Sequence, residues 1–193
     1  RNKLDGEGVT IAILDTGIDK NHPFLSGRVQ DGLDGVVLTD HRYIDHNHRD
    51  AAGNDLFGTP NQTGSHGTHV ASTVLAYAPK AKIVNIKVLD EEVADQIPEE
   101  LQRDDMTRVN VIARGMQTVY DHNKAVAEGK IKGDRIDVVS MSLGVPKSNT
   151  RIQNPAMLDQ LSGWVKKLSE QGVVVVVGVV GLGYVGLPLA MRF

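Results

Sequence analysis

A nearly unbroken apolar run lies close to the start of the chain and ends at an acidic residue. Residues 9–14 read Val-Thr-Ile-Ala-Ile-Leu, and Asp15, Thr16 and Gly17 follow them. Such a run is typical of a strand that is buried on both faces inside a parallel sheet. Gly17, three residues after the end of the run, marks a loop. The pattern therefore predicts a wound α/β sheet in which a buried strand delivers Asp15 to one edge.

A second segment, further along the chain, has the pattern of a helix start. His66 follows Gly64-Ser65 and precedes apolar residues at helical spacing, namely Val70, Val74, Leu75 and Ala78. Strand carboxyl ends and helix amino ends gather at one edge of a wound sheet, so Asp15 and His66 can meet there. A buried aspartate that accepts a hydrogen bond from imidazole holds the ring in the tautomer that a general base requires.

Each of these residues also has another explanation. Asp15 taken alone fits a turn residue at a strand end. The tripeptide Asp15-Thr16-Gly17 also occurs in aspartic peptidases, but that class needs two such loops or a symmetric dimer, and here strands alternate with helices. His66 and His69 stand three residues apart, yet the glutamate and the four-residue spacing of a zinc-binding helix are missing. We expect His69 to be packed or hydrogen-bonded beside the site.

Three segments together resemble the subtilisin-like serine peptidases. Residues 12–19, followed by Asn21-His22-Pro23, resemble the aspartate motif of that family. Residues 65–72 resemble its histidine motif, and residues 138–144 resemble its substrate-binding strand. The segments occur in the order that the family has. The resemblance implies a truncated α/β fold with three layers, in which a mainly parallel sheet carries helices on both faces.

The same resemblance implies the hydrolysis of peptide bonds by a serine endopeptidase. In that family Asp15 would orient and stabilise His66, and His66 would take a proton from a serine nucleophile. Ser142, Leu143 and Gly144 would pair their backbone groups with an extended peptide or protein substrate.

Two parts of the family pattern are absent from this sequence. The nucleophile segment, Gly-Thr-Ser at the start of a helix, does not occur, and Gly181 stands where the family has an asparagine that binds the oxyanion. We therefore expect the 193-residue chain alone to be inactive. The alternative is a pseudoenzyme that binds peptides along Ser142, Leu143 and Gly144 without cleaving them.

The last residues of the chain depart from the family. Residues 178–190 resemble the first strand and glycine loop of nucleotide-sugar dehydrogenases of the UDP-glucose type. We divide the chain into the N-terminal part of a subtilase catalytic domain, residues 1–177, and a foreign or truncated dehydrogenase-like tail, residues 178–193. A fragment of a fusion with an NAD-binding dehydrogenase is thus a further alternative. Because the sequence stops before the ribose-binding acid of such a site, we expect no NAD binding.

Composition and charge exclude other classes of function. The net charge of −3 provides no basic footprint for nucleic acid, and the absence of cysteine excludes disulfides and thiol chemistry. Together with the resemblance, the lack of cysteine suggests an extracellular or cell-envelope location. Residues 172–191 are uncharged and long enough to span a bilayer, but their five glycines and one proline argue against a spanning helix. We expect no membrane span.

Metal and charge patterns give weaker signals than the motifs. We expect no cofactor. The alternatives are calcium at Asn54 and Asp55 and a metal ion at His46 and His48, neither of which follows a specific template. The acidic segment 89–108 is expected to be a solvated loop with a short helix, or to favour substrates with basic side chains.

The rest of the chain alternates strand and helix patterns. Strands are predicted at residues 82–88 and 135–142, and a fully buried strand at residues 173–177. Helices are predicted at residues 109–126 and from Asn154-Pro155 to the glycine at position 172.

Overall fold

The computed structural model describes residues 5–19, 21–31, 65–88, 105–142 and 155–177. Along the chain its elements are β1 (Thr10–Asp15), β2 (Val29–Asp31), α1 (Ser65–Tyr77), β3 (Lys82–Lys87), α2 (Asp105–Ala127), β4 (Val138–Met141), α3 (Pro155–Glu170) and β5 (Val174–Val177). Within these ranges, no helix combines the length and the apolar character that crossing a membrane requires.

The five strands of the described residues form one parallel sheet. Its strand order is β2-β3-β1-β4-β5, which places β1 in the middle. Every residue of β1 is buried, as the apolar run predicts. On one side Asp15 pairs with Lys87 of β3, and on the other Ile13 pairs with Ser140 of β4. The carboxyl ends of β1, β3 and β4 therefore open onto the same edge.

Helices cover both faces of this sheet. Ile11 and Ile13 of β1 belong to a buried cluster that includes Ala71 and Leu75 of α1. The alternate residues of β1 belong to a second cluster, formed with α2 and α3 and containing Ala12, Leu14, Met116, Val119 and Leu168. The predicted three-layer α/β fold is confirmed. Because successive side chains of a strand point to opposite faces, an apolar strand buries both.

Some elements differ from their predictions. The helix predicted at residues 109–126 begins earlier, at Asp105, and the strand predicted at 135–142 is shorter. β2 was not predicted, because three residues are too few for a periodic pattern. The prediction of a fully buried last strand is wrong, since Val174 is 59% exposed and Val176 is 48% exposed. β5 is an edge strand among the described residues, and one face of it packs on the core.

Candidate active site at the carboxyl edge of the sheet

Asp15 is the last residue of β1, and its side chain is almost fully enclosed. Only 1% of that side chain is exposed. Oδ1 accepts a hydrogen bond from the amide of Thr16 at 2.7 Å and lies 2.8 Å from Nδ1 of His66. Oδ2 is buried and has no hydrogen-bond partner in the described part of the chain. Burial of a carboxylate is costly unless donors face it, so the contacts at Oδ1 compensate for part of that cost.

His66 is the second residue of α1 and reaches back to β1 from the start of the helix. Half of its side chain is exposed. A carboxylate oxygen can only accept a hydrogen bond, so Nδ1 of His66 is the donor in the contact with Asp15. In the neutral ring, Nε2 then carries the lone pair. This is the arrangement in which an imidazole can take a proton from another group.

The loop after β1 and the first turn of α1 touch each other closely. Gly17 has a φ of 103°, a conformation that residues with a side chain rarely adopt. A Cβ atom on Gly67 would lie 2.1 Å from the carbonyl oxygen of Gly17. Two glycines thus allow the helix to approach the strand end closely enough for His66 to reach Asp15.

Two threonines join the same loop to the same helix turn. The hydroxyl of Thr16 accepts a hydrogen bond from the amide of Gly67 at 3.1 Å. The hydroxyl of Thr68 accepts one from the amide of Asp19 at 2.8 Å. The first amides of a helix have no partner within the helix, so Thr16 satisfies one of them from a distant part of the chain.

A buried lysine lies beneath this loop. Lys87 is 3% exposed, and its Nζ donates to the carbonyl oxygen of Thr16 at 2.9 Å. Neither Lys87 nor Thr16 was among the predicted site residues. The available signal was a lysine at the end of a strand pattern that is otherwise buried, because a buried ammonium group requires a partner.

The predicted substrate-binding residues fall only partly within the described chain. Ser142 directly follows β4 and is half-buried. It lies two residues beyond Ser140, the pairing partner of Ile13, so β4 delivers it to the edge at which Asp15 lies. Leu143 and Gly144 lie outside the described residues.

Other predicted features lie elsewhere. His69 is exposed, so the expectation that it is packed beside the site is wrong, while the alternative of a hydrogen-bonded His69 stays a prediction. The candidate metal ligands His46, His48, Asn54 and Asp55 lie outside the described residues, as do residues 178–193. Within the described ranges, no group of three or more His, Asp or Glu side chains is placed to hold a metal ion.

A family comparison agrees with the motifs at this edge. The chain belongs to the subtilase family, since the family model described as "Subtilase family" matches residues 6–179. The subtilase resemblance drawn from the three segments is confirmed. The division at residue 177 and the dehydrogenase resemblance of the tail stay predictions.

Known proteins with similar sequences carry protease names. Thermitase from Thermoactinomyces vulgaris is 35% identical over 96 residues, which are 45% of this chain and 28% of that protein. An intracellular serine protease from Paenibacillus polymyxa is 29% identical over 155 residues, which are 76% of this chain and 36% of that protein. The chain thus spans about a third of the length of these relatives.

A solved structure is also similar. The crystal structure of a cold adapted subtilisin-like serine proteinase aligns with 92% of this chain and 48% of its own chain, at 24% identity and a TM-score of 0.47.

Proposed function

We propose that this chain carries the aspartate–histidine half of the catalytic apparatus of a serine endopeptidase that hydrolyses peptide or protein substrates. The observation that carries the proposal is the 2.8 Å contact between Nδ1 of half-exposed His66 and Oδ1 of buried Asp15. Membership of the subtilase family supports the same reaction class.

In the proposed mechanism, Asp15 acts on His66 and not on the substrate. Its carboxylate accepts the Nδ1 proton, keeps the ring oriented, and stabilises the positive charge when Nε2 takes a proton from a serine hydroxyl. General-base catalysis of this kind typically contributes about 10²- to 10⁴-fold to the rate. Ser142, Leu143 and Gly144 would hold an extended substrate by strand addition at the same edge.

The 193 residues contain no Gly-Thr-Ser segment, and the last serine is Ser169. We therefore propose that the chain alone does not cleave peptides. Without an oxyanion donor, about 3–4 kcal/mol of transition-state stabilisation would be missing as well. A fluorophosphonate probe, which labels activated serines, should leave the purified chain unlabelled. Labelling of any serine above the level of the heat-denatured chain would contradict this part of the proposal.

The aspartate–histidine pair itself is testable by NMR. Nitrogen-15 shifts of His66, measured where the ring is neutral, report whether Nδ1 or Nε2 carries the proton. We expect the Nδ1-protonated form, and we expect Asp15→Asn to favour the other form because an amide can donate to Nδ1. Asp19→Asn is the matched control, since Asp19 lies in the same loop and contacts Asn21 instead. An unchanged His66 in Asp15→Asn would refute the proposed pair.

Binding without cleavage is the second candidate, and it is supported by the position of β4, which delivers Ser142 to the edge at which Asp15 lies. An extended peptide would then bind to the chain, and Ser142→Pro would weaken binding by removing a backbone donor at the strand end.

The location of the protein is a further proposal. We propose an extracellular or cell-envelope protein, although one relative is named an intracellular serine protease.

A further inference from the structure

We infer that Thr16 is a positioning residue that couples the carboxylate of Asp15 to the helix carrying His66, and that buried Lys87 holds Thr16 in place. The inference rests on the proposed function, because it concerns the geometry of the same aspartate–histidine pair. It adds two residues that take no part in the proposed proton transfer.

Thr16 uses three polar groups in three directions. Its amide donates to Oδ1 of Asp15 at 2.7 Å, and its hydroxyl accepts from the amide of Gly67 at 3.1 Å. Its carbonyl oxygen accepts from Nζ of Lys87 at 2.9 Å. Thr16 is itself buried. One residue therefore bridges the strand end, the first turn of α1 and the neighbouring strand β3.

The contact with Asp15 is shared with the histidine. The amide of Thr16 and Nδ1 of His66 both point to the same carboxylate oxygen, Oδ1. If Thr16 shifts, the carboxylate loses a donor and can rotate away from the imidazole. The hydrogen bond between the hydroxyl of Thr16 and the amide of Gly67 restrains the histidine, because Gly67 directly follows His66 in the helix. Both partners of the pair are thus tied to Thr16.

Lys87 restrains the backbone of Thr16 through the hydrogen bond to its carbonyl oxygen. It pairs with Asp15 in the register of β1 and β3, so its side chain starts at the level of the site. A lysine that is 3% exposed requires polar partners, since an ammonium group loses its hydration on burial. The carbonyl of Thr16 is one such partner, and hydrogen bonds that involve a charged donor are among the stronger ones.

The test measures the same nitrogen-15 shifts of His66 in the full chain. Thr16→Val keeps the shape of the side chain and removes the hydroxyl, and Lys87→Met keeps the length and removes the charge. We expect each to lower the ratio of Nδ1- to Nε2-protonated ring by about fivefold, the factor expected for one lost hydrogen bond. Thr16→Ser should restore the ratio, because it restores the hydroxyl. Thr73→Val is the control, since Thr73 is exposed on the same helix and its hydroxyl donates to the carbonyl of His69.

The outcomes separate this inference from the proposed function. A ratio in Thr16→Val and Lys87→Met equal to that of Thr73→Val, together with a change in Asp15→Asn, overturns the inference and leaves the pair intact. A ratio unchanged even in Asp15→Asn overturns the proposed pair. Failure of Thr16→Ser to restore the ratio also overturns the inference, because a general loss of packing would then explain the valine variant. Amide spectra of each variant show whether the sheet is folded.

Discussion

At the scale of single residues, the approach of α1 to the loop after β1 depends on the absence of one side chain. Gly67 follows His66 and faces the backbone of Gly17 across the junction between helix and loop. A Cβ at Gly67 would also lie 3.3 Å from Cβ of Asp15. Because a backbone carbonyl cannot rotate away as the end of a flexible side chain can, an added methyl group must push the helix outward.

Gly67→Ala should therefore break the pair although alanine is the better helix former. Alanine favours a helix by up to about 1 kcal/mol over glycine, while forced overpacking costs about 1–3 kcal/mol. We expect a net loss of stability in urea unfolding and a loss of the Nδ1-protonated form of His66. A variant as stable as the parent, with an unchanged histidine, would show that the junction relaxes freely.

A second single residue fixes the start of β4. Asn123 of α2 donates from Nδ2 to the carbonyl of Ile136 at 2.9 Å and accepts at Oδ1 from the amide of Ile136 at 2.8 Å. Both residues are buried. One amide side chain thus satisfies the backbone of a residue that precedes the strand.

Asn123→Leu should destabilise the fold by about 2–6 kcal/mol, because two buried backbone groups lose their partners at about 1–3 kcal/mol each. Asn110→Leu is the matched control, since it makes the same change at an exposed position of α2 and should stay within about 0.5 kcal/mol. The free energy of unfolding in urea measures both. Equal losses of unfolding free energy in the two variants would mean that the hydrogen bonds of Asn123 make no specific contribution to stability.

At the scale of elements, α2 approaches the sheet through a glycine. A Cβ on Gly115 would lie 2.7 Å from Cγ1 of Val88 and 3.2 Å from Cδ2 of Leu14. Gly163 of α3 presents the opposite situation, because it is exposed and an added Cβ would meet nothing within 4 Å. Two helical glycines of one chain thus differ only in what surrounds them.

The same substitution should consequently have opposite effects at the two positions. Gly115→Ala should destabilise the protein, because overpacking of about 1–3 kcal/mol exceeds the gain in helix propensity. Gly163→Ala should stabilise it by about 0.5–1 kcal/mol, since only the propensity changes. Thermal and urea unfolding of the two variants provide the measurement. Stabilisation at both positions would show that α2 can move off the sheet at little cost.

At the scale of the whole molecule, an exposed charge cluster ties the start of the chain to the turn between α1 and β3. Nζ of Lys80 lies 3.0 Å from Oδ2 of Asp5 and 2.7 Å from Oε2 of Glu7. The hydrogen bond from Lys80, followed by that from the amide of Glu7, lowers the pKa of Asp5. The hydrogen bonds to Glu7 and then Asp5 raise the pKa of Lys80.

The lowered pKa of Asp5 and the raised pKa of Lys80 determine how the contribution of this cluster to stability depends on pH. Asp5 stabilises the folded state above its unfolded pKa, and this contribution is lost as the pH falls through its lowered folded pKa. Lys80 stabilises the folded state below its unfolded pKa, and this contribution is lost as the pH rises through its raised folded pKa. The Tm difference between the parent and Lys80→Met should thus be greatest near neutral pH and shrink at both extremes. Exposed Lys132→Met is the control, and a flat difference across the pH range would contradict the assignment.

Several features of the fold and site were predictable because they depend on local pattern. The alternation of Ile11 and Ile13 with Ala12 and Leu14 is a property of consecutive residues, and it suffices to predict a strand buried on both faces. The spacing of apolar residues after His66 predicts the helix in the same way. Since the topology of a wound sheet gathers such ends at one edge, the meeting of Asp15 and His66 also followed.

Other features required the folded chain. The exposure of Val174 and Val176 depends on which elements pack on that face of β5. An unbroken run of valines does not indicate which face is covered. The contacts of Thr16 with Gly67 and Lys87 join residues that are 51 and 71 positions apart. A hydroxyl, a glycine and a lysine each have many possible partners, and only the packing of helix on sheet selects one.

The sequence by itself determined the parallel α/β architecture, the family, and the two residues that meet at the sheet edge, because periodicity and short motifs are encoded in neighbouring residues. Only the tertiary structure determined which contacts keep Asp15 and His66 together. These are the close approach of α1 at Gly67, the three hydrogen bonds of Thr16 and the buried Lys87 that donates to Thr16. Those contacts depend on distances between segments that are remote along the chain, and such distances exist only after the segments have packed.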